Sequence, residues 1–290
     1  MTTRNWLPQR SLPPTALVLL SIASTQLGSA IAKTLFDELG PAGATFLRVG
    51  LATLVLLFIW RPPLHSYSRH QFGVMGLFGL NLAAMNLFFY AAIARIPIGI
   101  AVAIEFLGPL GISVLKSRKR LDFVWVALAG LGILLLSPWG QSNELDSVGL
   151  GFALLAGVMW GLYIILSACT GKVASGGQGL AVAMTVASFA LLPIGIATAG
   201  TALLEPHLVL QGFGVAMLSS VATYSLELEA LRTMPMTVFG VLMSLEPMVA
   251  AVLAFLLLKE ALTLNATIAV VAIAIAAAGI SLFKPSSNSK

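Results

Sequence analysis

The chain has 290 residues, of which 58% are hydrophobic and only 9% charged, and its mean hydropathy is +0.97. Soluble domains carry about 25% charged residues, so the composition excludes a soluble globular protein and assigns the chain to a membrane. The apolar stretches are continuous rather than alternating, which argues against an outer-membrane barrel, and the single cysteine, Cys169, excludes an intramolecular disulfide and a Cys-rich metal site.

Met1 to Pro14 is polar, with Arg4 and Arg10 ahead of two prolines. The next segment ends in Ala30-Ile31-Ala32, which imitates a signal-peptide cleavage site. A shift of 133 positions, however, sets Leu27-Gly28 on Trp160-Gly161, so the segment reads as part of a repeat and is retained. Ten apolar spans follow in order: 15–35, 42–60, 72–94, 97–115, 123–139, 148–168, 179–200, 208–230, 236–257 and 264–283. Each is about long enough to cross a hydrocarbon layer that takes roughly 20 helical residues. Short connections with turn chemistry separate them: Gly40-Pro41, Arg61-Pro62-Pro63, Ile96-Pro97 and Met234-Pro235. The expected fold is all-α, ten transmembrane helices. The Gln141–Ser147 connection divides them into two five-helix units, 15–139 and 148–283, with cytoplasmic tails 1–14 and 284–290.

Orientation follows from lysine and arginine. With the N-terminus inside, the inner segments carry twelve basic residues: Arg4, Arg10, Arg61, Arg69, Lys116, Arg118, Lys119, Arg120, Lys172, Arg232, Lys284 and Lys290. The outer segments carry three, Lys33, Arg95 and Lys259, while Arg48 lies within the second span. Both termini are therefore expected inside. The net charge of +5 is accounted for as topology, and the KSRKR cluster after span four as an anchor rather than a nucleic-acid patch. Five spans per unit makes the two units inverted relative to each other, a common build of secondary transporters with the site near the midplane between the units.

The two units share a feature. Arg95–Asp122 (RIPIGIAVAIEFLGPLGISVLKSRKRLD), shifted by 138 positions, sets Pro97 on Pro235, Pro109 on Pro247 and Asp122 on Glu260. Each copy keeps a glutamate just before its second proline, Glu105 and Glu246. Two five-span units ending in such Pro-bearing hairpins resemble the EamA repeats of the drug/metabolite transporter superfamily over about 15–283. IPIGIAVAIEFLGPL, SRKRLDFVWVALAGLG, YSLELEAL and FGVLMSLEP look closest to its bacterial inner-membrane members that export threonine and homoserine. The resemblance implies ten helices, a central cavity lined by spans 1, 3, 4, 6, 8 and 9, spans 5 and 10 packed outside it, and efflux coupled to protons.

Ionisable groups at membrane depth are costly and usually mark a solute or proton path. Glu105 lies four residues before Pro109, on the same helix face, and Pro109 frees the Glu105 carbonyl from its usual helical bond. A carboxylate and a spare carbonyl suit an ammonium. Glu246 precedes Pro247 and lies near Ser244; it either binds solute or holds the helix crossing. Glu227 and Glu229 are about 200° apart around a helix, so Glu227, which shares a face with Tyr224, is assigned to the cavity. Glu229, three before Arg232, is assigned to a structural ion pair. Glu105 and Glu227 are the candidates for carrying a proton.

Further candidate ligands are Asn86 and Tyr90 at i,i+4 in span three, Trp160 and Tyr163 in span six, Gln26 in span one, Tyr224 in span eight and Ser244 in span nine. Arg48 has two readings of equal weight: it pairs with a cavity carboxylate and offers forked donors to a substrate carboxylate, or it snorkels outward. His65, His70 and His207 are too scattered for a metal site, and no Walker A, HExxH or GxSxG motif occurs.

The leading expectation is therefore secondary active efflux of small neutral amino acids such as threonine or homoserine, with protons as coupling ion and no cofactor. The same fold carrying another amino acid, an amine or a nucleoside-type metabolite is the alternative. An intramembrane enzyme is the reading from a different class. Self-contained halves make a monomer sufficient for transport, and a dimer through spans 5 and 10 is compatible with the pattern.

Overall fold

The computed structural model describes residues 12–95, 104–116, 120–136 and 146–243, together with Ala101, Leu245, Glu246, Val249 and a few positions between 264 and 276. The remainder, including Ser244, Pro247, the centre of the KSRKR cluster and most of spans nine and ten, lies outside the described residues. Every regular element among the described residues is helical.

The first helical stretch, Pro14–Trp60, is broken at Gly40, whose φ of 65° and ψ of 167° are not helical. The residues on either side form two arms, α1 (14–39) and α2 (41–60). Gly40 tolerates the positive φ, and Pro41 has no N–H to lose at the start of a helix. The break falls where the Gly-Pro step predicts it. Then follow α3 (Arg69–Ile93), α4 (Leu107–Lys116), α5 (Arg120–Leu136), α6 (Ser147–Val173), α7 (Gln178–Ala199), α8 (Pro206–Thr233) and α9 (Met236–Met243). Among the described residues, five helical segments are long and apolar enough to cross a membrane: Thr34–Trp60, Arg69–Ala92, Ser147–Val173, Gln178–Leu204 and Pro206–Thr233.

α3 packs chiefly on α6 and α7, the Pro14–Trp60 arms on α7 and α8, and α4 on α6 and α9. Glycines set the closest crossings. A Cβ on Gly108 would lie 1.9 Å from the Gly157 carbonyl oxygen, and one on Gly79 would lie 2.3 Å from that of Ala183. Small residues let backbones approach in the absence of a hydrophobic drive between helices in lipid.

The connections gather at two ends. At one end Trp60 covers Gly176 and Gly177, where any Cβ would strike its ring. Gln71 Nε2 donates to the Val173 carbonyl at 2.7 Å, Tyr67 OH to Gln178 Oε1 at 2.9 Å, and Arg232 Nη2 to the Ala174 and Gly176 carbonyls. Ser68 and Gln71 form a capping box that starts α3. At the other end Arg95 pairs with Asp146 at 3.0 Å, and His207 lies 3.3 Å from Glu38. Asp146 also caps α6 by accepting from the Val148 N–H. The bonds from Arg95 and Val148 hold its carboxyl below the usual aspartate range. Among the described residues, the connections counted as inner (61–71, 169–178 and Arg232) gather at one end of the bundle, and Arg95, Asp146 and His207 at the other.

Candidate functional site

The polar residues inside the bundle divide into a seam of neutral hydroxyls and a cluster that carries charge. The seam joins α1 to α8. Ser24 Oγ donates to the Leu218 carbonyl at 2.7 Å, Thr223 Oγ1 donates to the same carbonyl at 2.8 Å, and the Thr25 and Thr223 hydroxyls lie 2.7 Å apart. Leu218 sits in a π-helical turn, Met217–Ala222, within α8. Such a turn shifts backbone bonding out of the α-register, and the two hydroxyls supply the Leu218 carbonyl with donors. Gly28 of α1 faces this turn so closely that a Cβ would lie 2.0 Å from Ser219 Oγ.

The second cluster holds the predicted site residues. Gln26 Nε2 donates to Glu246 Oε1 at 2.9 Å, linking α1 to the Pro-bearing hairpin 220 positions away. Tyr163 OH donates to Glu227 Oε2, linking α6 to α8. Tyr163 is 1% exposed and Glu227 3%. Glu246 is close enough for its charge to act on both Glu105 and Glu227, so three carboxylates share one electrostatic neighbourhood. Glu105 is buried, and its backbone crosses Gly157, where a Cβ would lie 2.9 Å from the Glu105 carbonyl oxygen. The α-helix is interrupted at Phe106, between Glu105 and α4, beside the proline expected to weaken it there. Phe106 packs on Trp160 with ring centroids 4.8 Å apart.

Across this neighbourhood lies a basic group. Arg48 is 7% exposed and does not snorkel. Its Nη2 donates to Asn86 Oδ1, and its guanidinium stands over the Tyr90 ring at 5.7 Å. Asn86 in turn donates from Nδ2 to the Leu82 carbonyl at 2.7 Å and to Tyr224 OH at 3.4 Å. The Tyr224 ring lies 5.8 Å from that of Tyr163, so aromatic side chains join the basic and acidic sides.

The structure thus brings together Gln26, Arg48, Asn86, Tyr90, Glu105, Trp160, Tyr163, Tyr224, Glu227 and Glu246. Ser244 and Pro247 lie outside the described residues; Pro109 is buried in the first turn of α4. The carboxylate partner that one reading gave Arg48 is absent from its described bonds; the neutral Asn86 amide takes that place. Glu229 is removed from the cluster as its phase requires, 3.4 Å from Arg232. Asn81, also in α3, ties that helix to the Met159 carbonyl of α6 at 3.0 Å. The α1–α8 seam was not foreseen as a unit, although Ser219, Ser220 and Thr223 in one apolar span were its visible sign. An open cleft of about 610 Å³ at the α6–α7 connection, lined in part by Lys172, Ser175 and Arg232, contains none of the predicted site residues.

Comparison with known proteins agrees with this architecture. Residues 147–282 match the EamA-like transporter family. The chain is 40% identical over 280 residues to the threonine/homoserine exporter RhtA of Salmonella typhimurium (strain LT2), covering 94% of each chain. It is 39% identical over 270 residues to RhtA of Escherichia coli (strain K12), covering 93% of this chain and 91% of that one. The chain belongs to the EamA-like transporter family. A solved crystal structure 18% identical to this EamA-family chain superposes with a TM-score of 0.72, covering 93% of this chain and 97% of that one, and so shares its fold. Among the described residues of this EamA-family protein, no group of three or more His, Cys, Asp or Glu could hold a metal.

Proposed function

We propose that this protein exports small neutral amino acids of the threonine and homoserine type across the bacterial inner membrane by secondary active transport. The observation that carries this reading is the 40% identity, over 94% of both chains, to proteins named threonine/homoserine exporters. The interior cluster supports it in chemistry: a zwitterion needs acceptors for its ammonium and donors for its carboxylate, both shielded from lipid.

In this reading the units 15–139 and 148–283 are inverted repeats that rock about the cluster, with both termini cytoplasmic. The twelve-to-three basic bias and the gathering of connections at two ends support that topology. Glu105 and Glu246 receive the ammonium. Asn86, Tyr90, Gln26, Trp160, Tyr163, Tyr224 and Ser244 shape the site, and Pro109 and Pro247 keep the hairpin helices interrupted. Glu105 and Glu227 carry the coupling proton, because a carboxylate shared between solute and a neighbouring acid is one that can exchange its proton between the two open states. No cofactor takes part, and one chain suffices.

The test is efflux of labelled threonine from proteoliposomes, with and without a proton gradient, for the parent and for Glu105→Gln. Gradient-stimulated efflux that Glu105→Gln abolishes is the expected result. Efflux that ignores both the gradient and the substitution contradicts the coupling and this site. A folded parent that moves no threonine or homoserine contradicts the export reading itself.

A further inference from the structure

The charged groups of the bundle are unevenly matched. Each carboxylate with a described side-chain bond has its own partner: Glu246 has Gln26, Glu227 has Tyr163, Glu229 has Arg232, Asp146 has Arg95 and Glu38 has His207. Arg48 is different. It is more than nine-tenths buried, and no ion pair among the described residues includes it. Its Nη2 is met only by a neutral amide oxygen, and its Nε is buried with no partner. Asn86 has no freedom to follow a retreating guanidinium, because its own Nδ2 is committed to Leu82 and Tyr224. A buried cation with an unused donor and no counter-charge is unfavourable in apolar surroundings unless an anion comes to it.

From this geometry we infer that Arg48 is the specificity-determining receptor for the α-carboxylate of the cargo, with Asn86 fixing the guanidinium so that its open edge faces the solute. The inference rests on the export reading above and deepens it, because it gives the site a polarity. The carboxylate end lies at Arg48, Asn86 and Tyr90, between α2 and α3. The ammonium end lies at Glu246 and Glu105, against α4, α6 and α9. Tyr224 bridges the two, touching Asn86 on one side and packing on Tyr163 on the other. Such a site accepts a zwitterion and rejects the amine formally derived from it by loss of the carboxylate, since that amine leaves Arg48 unpaired. Arginine suits the position because its planar fork meets a carboxylate with two parallel bonds, which lysine cannot do.

The experiment measures ligand-induced thermal stabilisation of the purified full chain in detergent. The paired probes are threonine with 1-aminopropan-2-ol, homoserine with 3-aminopropan-1-ol, and alanine with ethylamine. The readout is the preference for each acid over its amine, which a merely structural role would not change. We expect the parent to prefer the acid by about tenfold or more, the span of one charge-assisted bond. Arg48→Gln should bring that preference close to unity, and Arg48→Lys, which keeps the charge but not the fork, should retain part of it.

If threonine and homoserine fail to bind but another acid shows a preference that Arg48→Gln removes, the carboxylate receptor stands and the export reading falls. If threonine binds and Arg48→Gln keeps the full preference, the export reading stands and the receptor is overturned. A parent that prefers none of the acids to its amine overturns the receptor outright.

Discussion

The seam between α1 and α8 and the cluster around Arg48 are both polar, both buried in an apolar bundle, and built from overlapping stretches of chain. They differ in charge. In the seam only neutral hydroxyls meet: Ser24 and Thr223 donate to the Leu218 carbonyl and Thr25 lies 2.7 Å from Thr223, while the buried Ser219 and Ser220 hydroxyls have no described partner. In the cluster, Arg48 keeps an unused donor on a charged group, and Glu246, on one amide bond, lies within the reach of two other acids. An unpartnered hydroxyl costs far less to bury than an unpaired charge, so it is the unmatched charge that we propose as the mark of a solute path. In that reading the seam holds helices together and the cluster receives the ligand.

The largest effect should come from breaking the α4–α6 crossing beside the cluster. Gly108→Ala places a methyl against the Gly157 backbone, which cannot rotate away. It should lower stability by about 3 kcal/mol or more, at or above the usual cost of overpacking, and appear as loss of monodisperse protein on size-exclusion chromatography. Gly28→Ala, which meets chiefly the rotatable Ser219 hydroxyl, should cost clearly less in the same assay. Next, Tyr163→Phe leaves Glu227 buried without its donor and should cost about 1–3 kcal/mol. Adding Glu227→Gln should recover much of that loss, a non-additivity read from a thermal double-mutant cycle. In the seam, Thr223→Val should cost about 0.6–1.7 kcal/mol, the range of hydrogen bonds between membrane helices, while leaving the apparent KM for threonine unchanged.

The smallest effect belongs to the Arg95–Asp146 pair at the bundle end. Asp146 is held below the ordinary aspartate range, so its contribution is present above its unfolded pKa and is lost as pH falls through the lower folded value. The thermal midpoint of Asp146→Asn should therefore lie slightly below that of the parent at neutral pH and converge on it in strong acid, with transport unaffected. A gap that widened on acidification would contradict this assignment.

Much of this comparison could be read along a single helix. The Gly40-Pro41 break, the opposite faces of Glu227 and Glu229, and the Glu229–Arg232 pair all follow from spacing within a few residues. The partnerships that separate seam from cluster do not. Gln26 meets Glu246, Tyr163 meets Glu227 and Arg48 meets Asn86 across 220, 64 and 38 positions, and only packing brings them into register. For the same reason periodicity named Arg48 as a candidate but could not choose between a cavity and a snorkelling side chain. The π-helical turn at Met217–Ala222 was also hidden, because its six residues suit an ordinary α-helix equally well and the Leu218 carbonyl within it is met by Ser24, 194 positions away.

The most direct test of the distinction between neutral seam and unpaired charge is counterflow of labelled threonine in proteoliposomes for Arg48→Gln and Thr223→Val side by side, at matched amounts of folded protein. The account predicts that Arg48→Gln raises the apparent KM by about tenfold or more, the value of a charge-assisted contact, and that Thr223→Val leaves it within about twofold, the expectation for a change outside the solute path. Equal losses in the two variants, or a larger loss at Thr223, would contradict it.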